Sequence, residues 1–239
     1  MTIWGKVGGA GLGFAIGGPL GALVGAVAGH VLMDREGALL GPPPREIVFT
    51  TGLIALAAKM AKSDGVVVAV EVEAFERIIA IPPEDRAAVA RLFDLAKRTP
   101  DGFEAYAAQL AGILGDEPAL LEDVLDGLFH IAKADGAVHE AELRYLQAVA
   151  TLFGFDERAW ERIAARHVAR PDDPYVVLGA DPALADDALK RHYRRLVAEH
   201  HPDRKVARGL PAEAVRIATE RLAAINAAWT RIEAERGLA

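Results

Sequence analysis

The sequence predicts an all-α protein: an N-terminal transmembrane helix, a helical bundle with an internal repeat, and a C-terminal helical hairpin. Three observations predict it. Residues 7–33 hold no Asp, Glu, Lys or Arg. From 46 to 168, Ala, Leu and Ile recur at spacings of three and four, with no convincing strand between them. Near the C-terminus two apolar stripes of helical period flank a turn that contains proline.

The uncharged run is longer than the roughly 20 residues needed to cross a bilayer. Gly5, Gly9, Gly13, Gly17, Gly21, Gly25 and Gly29 recur every four residues and place a glycine strip along one helix face. In water each would cost about 1 kcal/mol of helix propensity against Ala. In lipid the strip lets a second helix backbone approach closely. Residues 1–35 therefore read as a glycine-zipper membrane anchor, with a homodimer through the strip as its expected partner. A cleaved signal peptide fits less well, since only Lys6 precedes an apolar run too long for one. Lys6 stands against Asp34, Arg35, Glu36 and Arg45, which gives a slight lean to a cytoplasmic C-terminus.

Gly41-Pro42-Pro43-Pro44 breaks any helix leaving the membrane, and residues 36–45 read as a Pro-rich linker. The bundle occupies 46–168, with helices expected near 46–63, 69–80, 84–98, 102–114, 118–134, 139–153 and 156–167. Within it Ala61-Lys62-Ser63-Asp64-Gly65-Val66-Val67 with Glu71 matches Ala132-Lys133-Ala134-Asp135-Gly136-Ala137-Val138 with Glu142. The match implies two related helix-turn-helix halves that bury each other's stripes. Two readings of its acidic positions stand side by side. Asp64, Glu71, Asp135 and Glu142 would bind a divalent cation if the halves converge. Alternatively Asp-Gly makes the turn, and Glu71 and Glu142 reach back to the N-cap amides at Val68 and His139 as capping boxes. An EF-hand is excluded, because Lys62 and Lys133 stand where oxygen ligands would be needed.

In the hairpin, residues 171–239, Leu189, Tyr193, Leu196 and Val197 form one stripe on a helix from about Asp186 to Glu199. Lys190, Arg191, Arg194 and Arg195 make its other face basic. Ala218, Leu222, Ile225, Trp229 and Ile232 mark a second helix from about Ala212 to Glu235. The two stripes are expected to bury each other. Pro202 disfavours helix at His201, so the first helix stops there and His200-His201-Pro202-Asp203-Arg204 is presented at the hairpin's end.

These residues resemble a J-domain in order and register: Asp173-Pro174-Tyr175-Val176-Val177-Leu178-Gly179, Leu189-Lys190-Arg191-His192-Tyr193-Arg194-Arg195-Leu196, His201-Pro202-Asp203, and Leu222-Ala223-Ala224-Ile225-Asn226-Ala227-Ala228-Trp229. Arg204 stands where the family usually has Lys and Trp229 where it usually has Tyr, which keeps charge and aromatic bulk. The repeat region resembles the all-helical TerB-like domain of tellurite resistance. The start, Met1-Thr2-Ile3-Trp4-Gly5-Lys6 before a glycine-studded span, looks like bacterial membrane-anchored J-proteins of the DjlA type. The resemblance implies a co-chaperone of the bacterial inner membrane, its C-terminal domains cytoplasmic, that stimulates the ATPase of a DnaK-type chaperone. It also implies that His201, Pro202 and Asp203 engage that partner, with Lys190, Arg191, Arg194 and Arg195 docking on its acidic surface. A second function class stays open, a metal- or stress-responsive membrane sensor working through the TerB-like domain.

Composition excludes several other classes. With no cysteine, disulfide frameworks, thiol nucleophiles and cysteine-ligated zinc are impossible. Of the formal net charge of −7, residues 45–170 carry 14 Lys+Arg against 21 Asp+Glu, and residues 171–239 carry 11 of each. An acidic middle argues against nucleic acid as the main partner. No phosphate loop, nucleophile elbow or His-Glu-x-x-His occurs, so the chain is expected to have no catalytic residues and no cofactor beyond the cation considered above.

Overall fold

The computed structural model describes residues 45–63, 89–90, 93–94, 96–97, 102–168 and 173–238. Among them the elements are helical throughout: α1 (Arg45–Ser63), α2 (Phe103–Leu114), α3 (Pro118–Ala132), α4 (Glu140–Leu152), α5 (Glu157–Ala165), α6 (Pro174–Leu178), α7 (Asp186–His200), α8 (Pro202–Ala207) and α9 (Ala212–Arg236). The anchor, the linker and the helices expected near 69–80 and 84–98 fall wholly or largely outside the described residues. Among the described residues no helix is long and apolar enough to cross a membrane.

Helix α1 is the axis of the bundle. Val48, Phe49, Leu53, Ile54, Leu56 and Met60 are all buried, and α2, α3 and α4 pack around them. Gly52 lets α2 come close, since a Cβ there would sit 2.7 Å from Leu110 Cδ1. Tyr145 ties α4 to the axis by donating its hydroxyl to the Leu56 carbonyl at 2.8 Å. A fully buried phenol needs such an acceptor to offset its lost water.

Local sequence sets the ends. Pro118 opens α3 at the position where a missing N–H is harmless. After α3 the chain tightens into a 3-10 turn, Lys133–Asp135, and reverses at Gly136, whose φ of 116° is open to glycine at no steric cost. Helix α4 then starts with Glu142 accepting from the His139 N–H at 2.8 Å. That is the capping-box arm expected from the spacing. Asp156 caps α5 by accepting from the Ala159 N–H at 2.8 Å.

The hairpin has its own apolar cluster of Val177, Leu178, Leu189, Leu196, Ile225, Trp229 and Ile232. Tyr193 stacks on Trp229 with ring centroids 4.5 Å apart. Arg236 closes the open end by donating to the Tyr175 hydroxyl, the Leu184 carbonyl and Asp186.

The two stripes bury each other as expected, and α9 also packs beyond the hairpin. The first half of α9 faces the bundle, where Leu210, Ala214 and Ile217 join the core built on α1 and α3. Gly127 of α3 admits it, because a Cβ there would lie 3.1 Å from both Ile217 Cδ1 and Leu53 Cδ1. At the α9 N-terminus the Thr50 hydroxyl donates to buried Glu213 at 2.5 Å. The buried face of α9 therefore runs through Ala214, Ile217, Ala218, Arg221, Ile225, Ala228, Trp229 and Ile232, while Leu222 is only half-buried.

If Ile217 joins the hairpin to the bundle core, Ile217→Ala will lower the stability of the whole chain by about 2–5 kcal/mol, as large-to-small core changes do. Arg191→Ala, at an exposed position, will change it by less than about 0.5 kcal/mol. Urea unfolding followed by circular dichroism measures both, and a near-neutral Ile217→Ala would show the contact to be loose.

Candidate interaction site

The end of α7 and the start of α8 form the site. His200 is the last residue of α7 and is buried, one residue beyond the predicted end. The chain turns extended at His201 (φ −63°, ψ 129°), as a residue before proline prefers. Residues 202–207 then form a short helix where the sequence suggested only a loop. His201 Nδ1 accepts from the Asp203 N–H at 3.3 Å and so caps α8. The Asp203 side chain is 86% exposed and that of His201 44%. Arg191, Arg194 and Arg195 are exposed on α7, and Lys190 is half-buried. Arg195 donates to His192 Nδ1 at 2.9 Å, which steadies one end of the basic face. The structure thus brings together all seven residues expected to bind a partner, along one helix and the turn that follows it.

Behind this exposed face lies an ion-pair lattice that the sequence reading missed. Glu122, Asp123 and Asp126 of α3 are all buried. From the bundle, Arg162 makes a two-pronged contact with Glu122 at 2.8 and 2.9 Å, and Arg166 bridges Glu122 and Asp126 at 2.8 Å each. From the hairpin, Arg221 reaches Asp126 at 2.7 Å and Asp123 at 2.8 Å, and Lys205 pairs with Asp123. The Arg221 guanidinium also donates to His200 Nδ1 at 3.0 Å. Beside the lattice His167 contacts Asp126 at 2.7 Å and His130 contacts Glu220 at 2.9 Å.

Electrostatics follow from this crowding. Burial would raise the pKa of Glu122 and Asp126, but the surrounding arginines hold both carboxyls well below the usual range. Burial pushes the carboxyls of Asp123 and Glu213 up. Burial, with Arg221 alongside, pushes His200 down to about 3, and His130 is pushed down to about 4 by burial and by His167. His167 is also lowered by burial. These rings are neutral acceptors or donors at physiological pH.

The metal-site residues are placed differently. Glu142 is engaged as the α4 cap, Asp135 lies in the 3-10 turn with its side chain outside the described residues, and Asp64 and Glu71 lie outside them altogether. Among the described residues no group of three or more His, Cys, Asp or Glu side chains is placed to hold a metal ion.

The architecture is a helical bundle built on a buried axis and joined to a hairpin that displays His-Pro-Asp. Residues 50–165 match the model of the tellurite resistance protein TerB family, and residues 1–45 match that of the co-chaperone DjlA transmembrane domain. The chain is similar to the co-chaperone protein DjlA of Coxiella burnetii, 29% identical across the full length of both, and to that of Photobacterium profundum, 29% identical over 98% of this chain and 99% of the relative. It is 34% identical to the Shewanella oneidensis DjlA over 45% of this chain and 46% of the relative. No solved structure matches it. The two family-model matches and the full-length relatives together support a co-chaperone of the DjlA type.

The buried histidines make stability depend on pH. In the unfolded chain His130, His167 and His200 take up protons near pH 6.5; the folded chain takes them up only at lower pH, about 4 for His130 and about 3 for His200, so acid favours unfolding. Asp123 and Glu213 act in the opposite direction and offset at most two of these three protons. The urea midpoint will therefore fall between pH 7 and pH 5, by up to about 1.4 kcal/mol per pH unit for each net proton. A midpoint equal or higher at pH 5 would contradict the neutral rings.

Proposed function

We propose that this co-chaperone stimulates ATP hydrolysis by a DnaK-type chaperone and recruits it to the cytoplasmic face of the bacterial inner membrane. One observation carries the reading: His201, Pro202 and Asp203 stand at the exposed end of α7 beside Arg191, Arg194 and Arg195, while the opposite side of the hairpin is taken up by the bundle. Asp203 offers a carboxylate for a charge-assisted contact with a cationic group of the partner. The basic face speeds encounter with an acidic surface by steering. The hydrolytic chemistry is the partner's, and this chain supplies the contact that triggers it. An N-terminal anchor fits the membrane location, and activity on a soluble chaperone puts the C-terminal domains in the cytoplasm.

Two expected outcomes test the reading. His201→Gln or Asp203→Asn will abolish stimulation in single-turnover ATP hydrolysis by the chaperone with the full chain in nanodiscs, leaving the far-ultraviolet circular dichroism unchanged. Losing a charged hydrogen bond removes about 1.5–3 kcal/mol, or about tenfold or more at 1.4 kcal/mol per decade. Arg194→Ala will weaken the interaction in a salt-dependent way without abolishing it, as one member of a patch does. Full stimulation by either tripeptide variant would overturn the assignment.

We also propose a homodimer in the membrane, a reading supported by the four-residue glycine spacing of the sequence. Replacing Gly13, Gly17 and Gly21 by Leu will lower the signal of a membrane self-association reporter. An unchanged signal would assign the strip to another purpose.

A further inference from the structure

The lattice ties both flanks of the tripeptide to one helix of the bundle. On the N-terminal flank His200 is held by Arg221, which is held in turn by Asp123 and Asp126 of α3. On the C-terminal flank Lys205 pairs with Asp123 and donates to the Ala119 carbonyl at 3.4 Å, both on α3. A third tie joins Arg208, just past α8, to Glu117 at the N-cap of α3. Between residues 200 and 205 the chain makes a proline turn and one helical turn, so fixing both ends leaves the backbone of 201–204 little freedom.

The chemistry of the tie is directional. The Arg221 guanidinium is a rigid planar donor, and its fork can meet the α3 carboxylates and the His200 ring together only with the helices at one separation and one rotation. His200 Nδ1 accepts, so its proton sits on Nε2 and the ring is held in one orientation. Hydrocarbon in place of the whole lattice could bury as well, but an apolar residue at 221 alone would leave the α3 carboxylates short of a cation. What the guanidinium adds is geometry, delivered one peptide bond from His201.

We propose that Arg221 is a positioning residue for the His-Pro-Asp tripeptide: by bridging the α3 carboxylates to His200 it lets the TerB-like bundle set how strongly the bound hairpin activates the chaperone. The role rests on the J-type function proposed above. It predicts a split between two measurable quantities. Encounter depends on the basic face of α7, which Arg221 does not touch, whereas activation once bound depends on where the tripeptide is held.

The test uses the full chain in nanodiscs, titrated into single-turnover ATP hydrolysis by a DnaK-type chaperone, with Arg221→Met and His200→Leu. The second variant removes only the last link and leaves the α3 carboxylates paired with Arg221, so it decides the matter if the first does not fold. Expected for His200→Leu is a maximal stimulation at least fivefold below wild type, with the half-maximal concentration within twofold. Hydrogen exchange is expected to quicken at least tenfold at residues 201–207 while α6 and the second half of α9 keep their protection. Wild-type maximal stimulation by the variant would overturn the proposal, as would a change confined to the half-maximal concentration or exchange that quickens evenly across 186–236. A wild-type chain that fails to stimulate at all would instead overturn the J-type reading.

Discussion

Three carboxylates within five residues of one helix, Glu122, Asp123 and Asp126, are buried against apolar neighbours in the middle of the molecule. Left alone they would cost several kcal/mol each or be forced to take up protons. They stay charged, as Glu122 and Asp126 do, only where cations are brought to them. The bundle supplies Arg162 and Arg166 from its last helix, and the hairpin supplies Arg221 and Lys205. Neither part satisfies the site without the other. That requirement fixes which side of the hairpin turns inward, explains why Ile217 leaves the hairpin cluster for the bundle core, and explains why α3 has glycine at 127 where the two helices meet.

The elements themselves were legible. The bundle helices that are described fall within two residues of the periodicity reading, Glu142 caps α4 as its spacing implies, and Tyr193 meets Trp229 as the two stripes require. The exposed tripeptide and basic face were equally readable, because local pattern and proline chemistry place them. Arg221 was not. Reading the second stripe as Ala218, Leu222, Ile225 and Trp229 keeps every charge on the outside, which is the ordinary rule. The observed buried face keeps Ala218, Ile225, Trp229 and Ile232 and adds Ala214, Ile217 and Arg221, whose counter-charge Asp126 lies 95 residues earlier in the chain. The usable signal was on α3: Glu-Asp-x-x-Asp inside a mostly apolar helix needs partners from elsewhere.

The same lesson applies to the acidic repeat positions. A carboxylate three residues after a turn can serve a cation or its own helix, and sequence spacing satisfies both. For Glu142 the capping contact is the one described, its Oε2 2.8 Å from the His139 amide.

Burial of the α3 carboxylates also shapes the field outside. The bundle is the acidic part of the chain, yet the hairpin it holds carries a basic outer face. Glu122, Asp123 and Asp126 are matched within about 3 Å by cations and shielded from solvent, so they project little field of their own. Arg191, Arg194 and Arg195 remain in water, where an opposing charge more than about 8–10 Å away is largely screened. Lys205 and Arg221, the hairpin cations paired with these carboxylates, are on the inner side. The division leaves a basic outer face on a chain of net charge −7, and makes the inner ion pairs and the outer patch two uses of one hairpin.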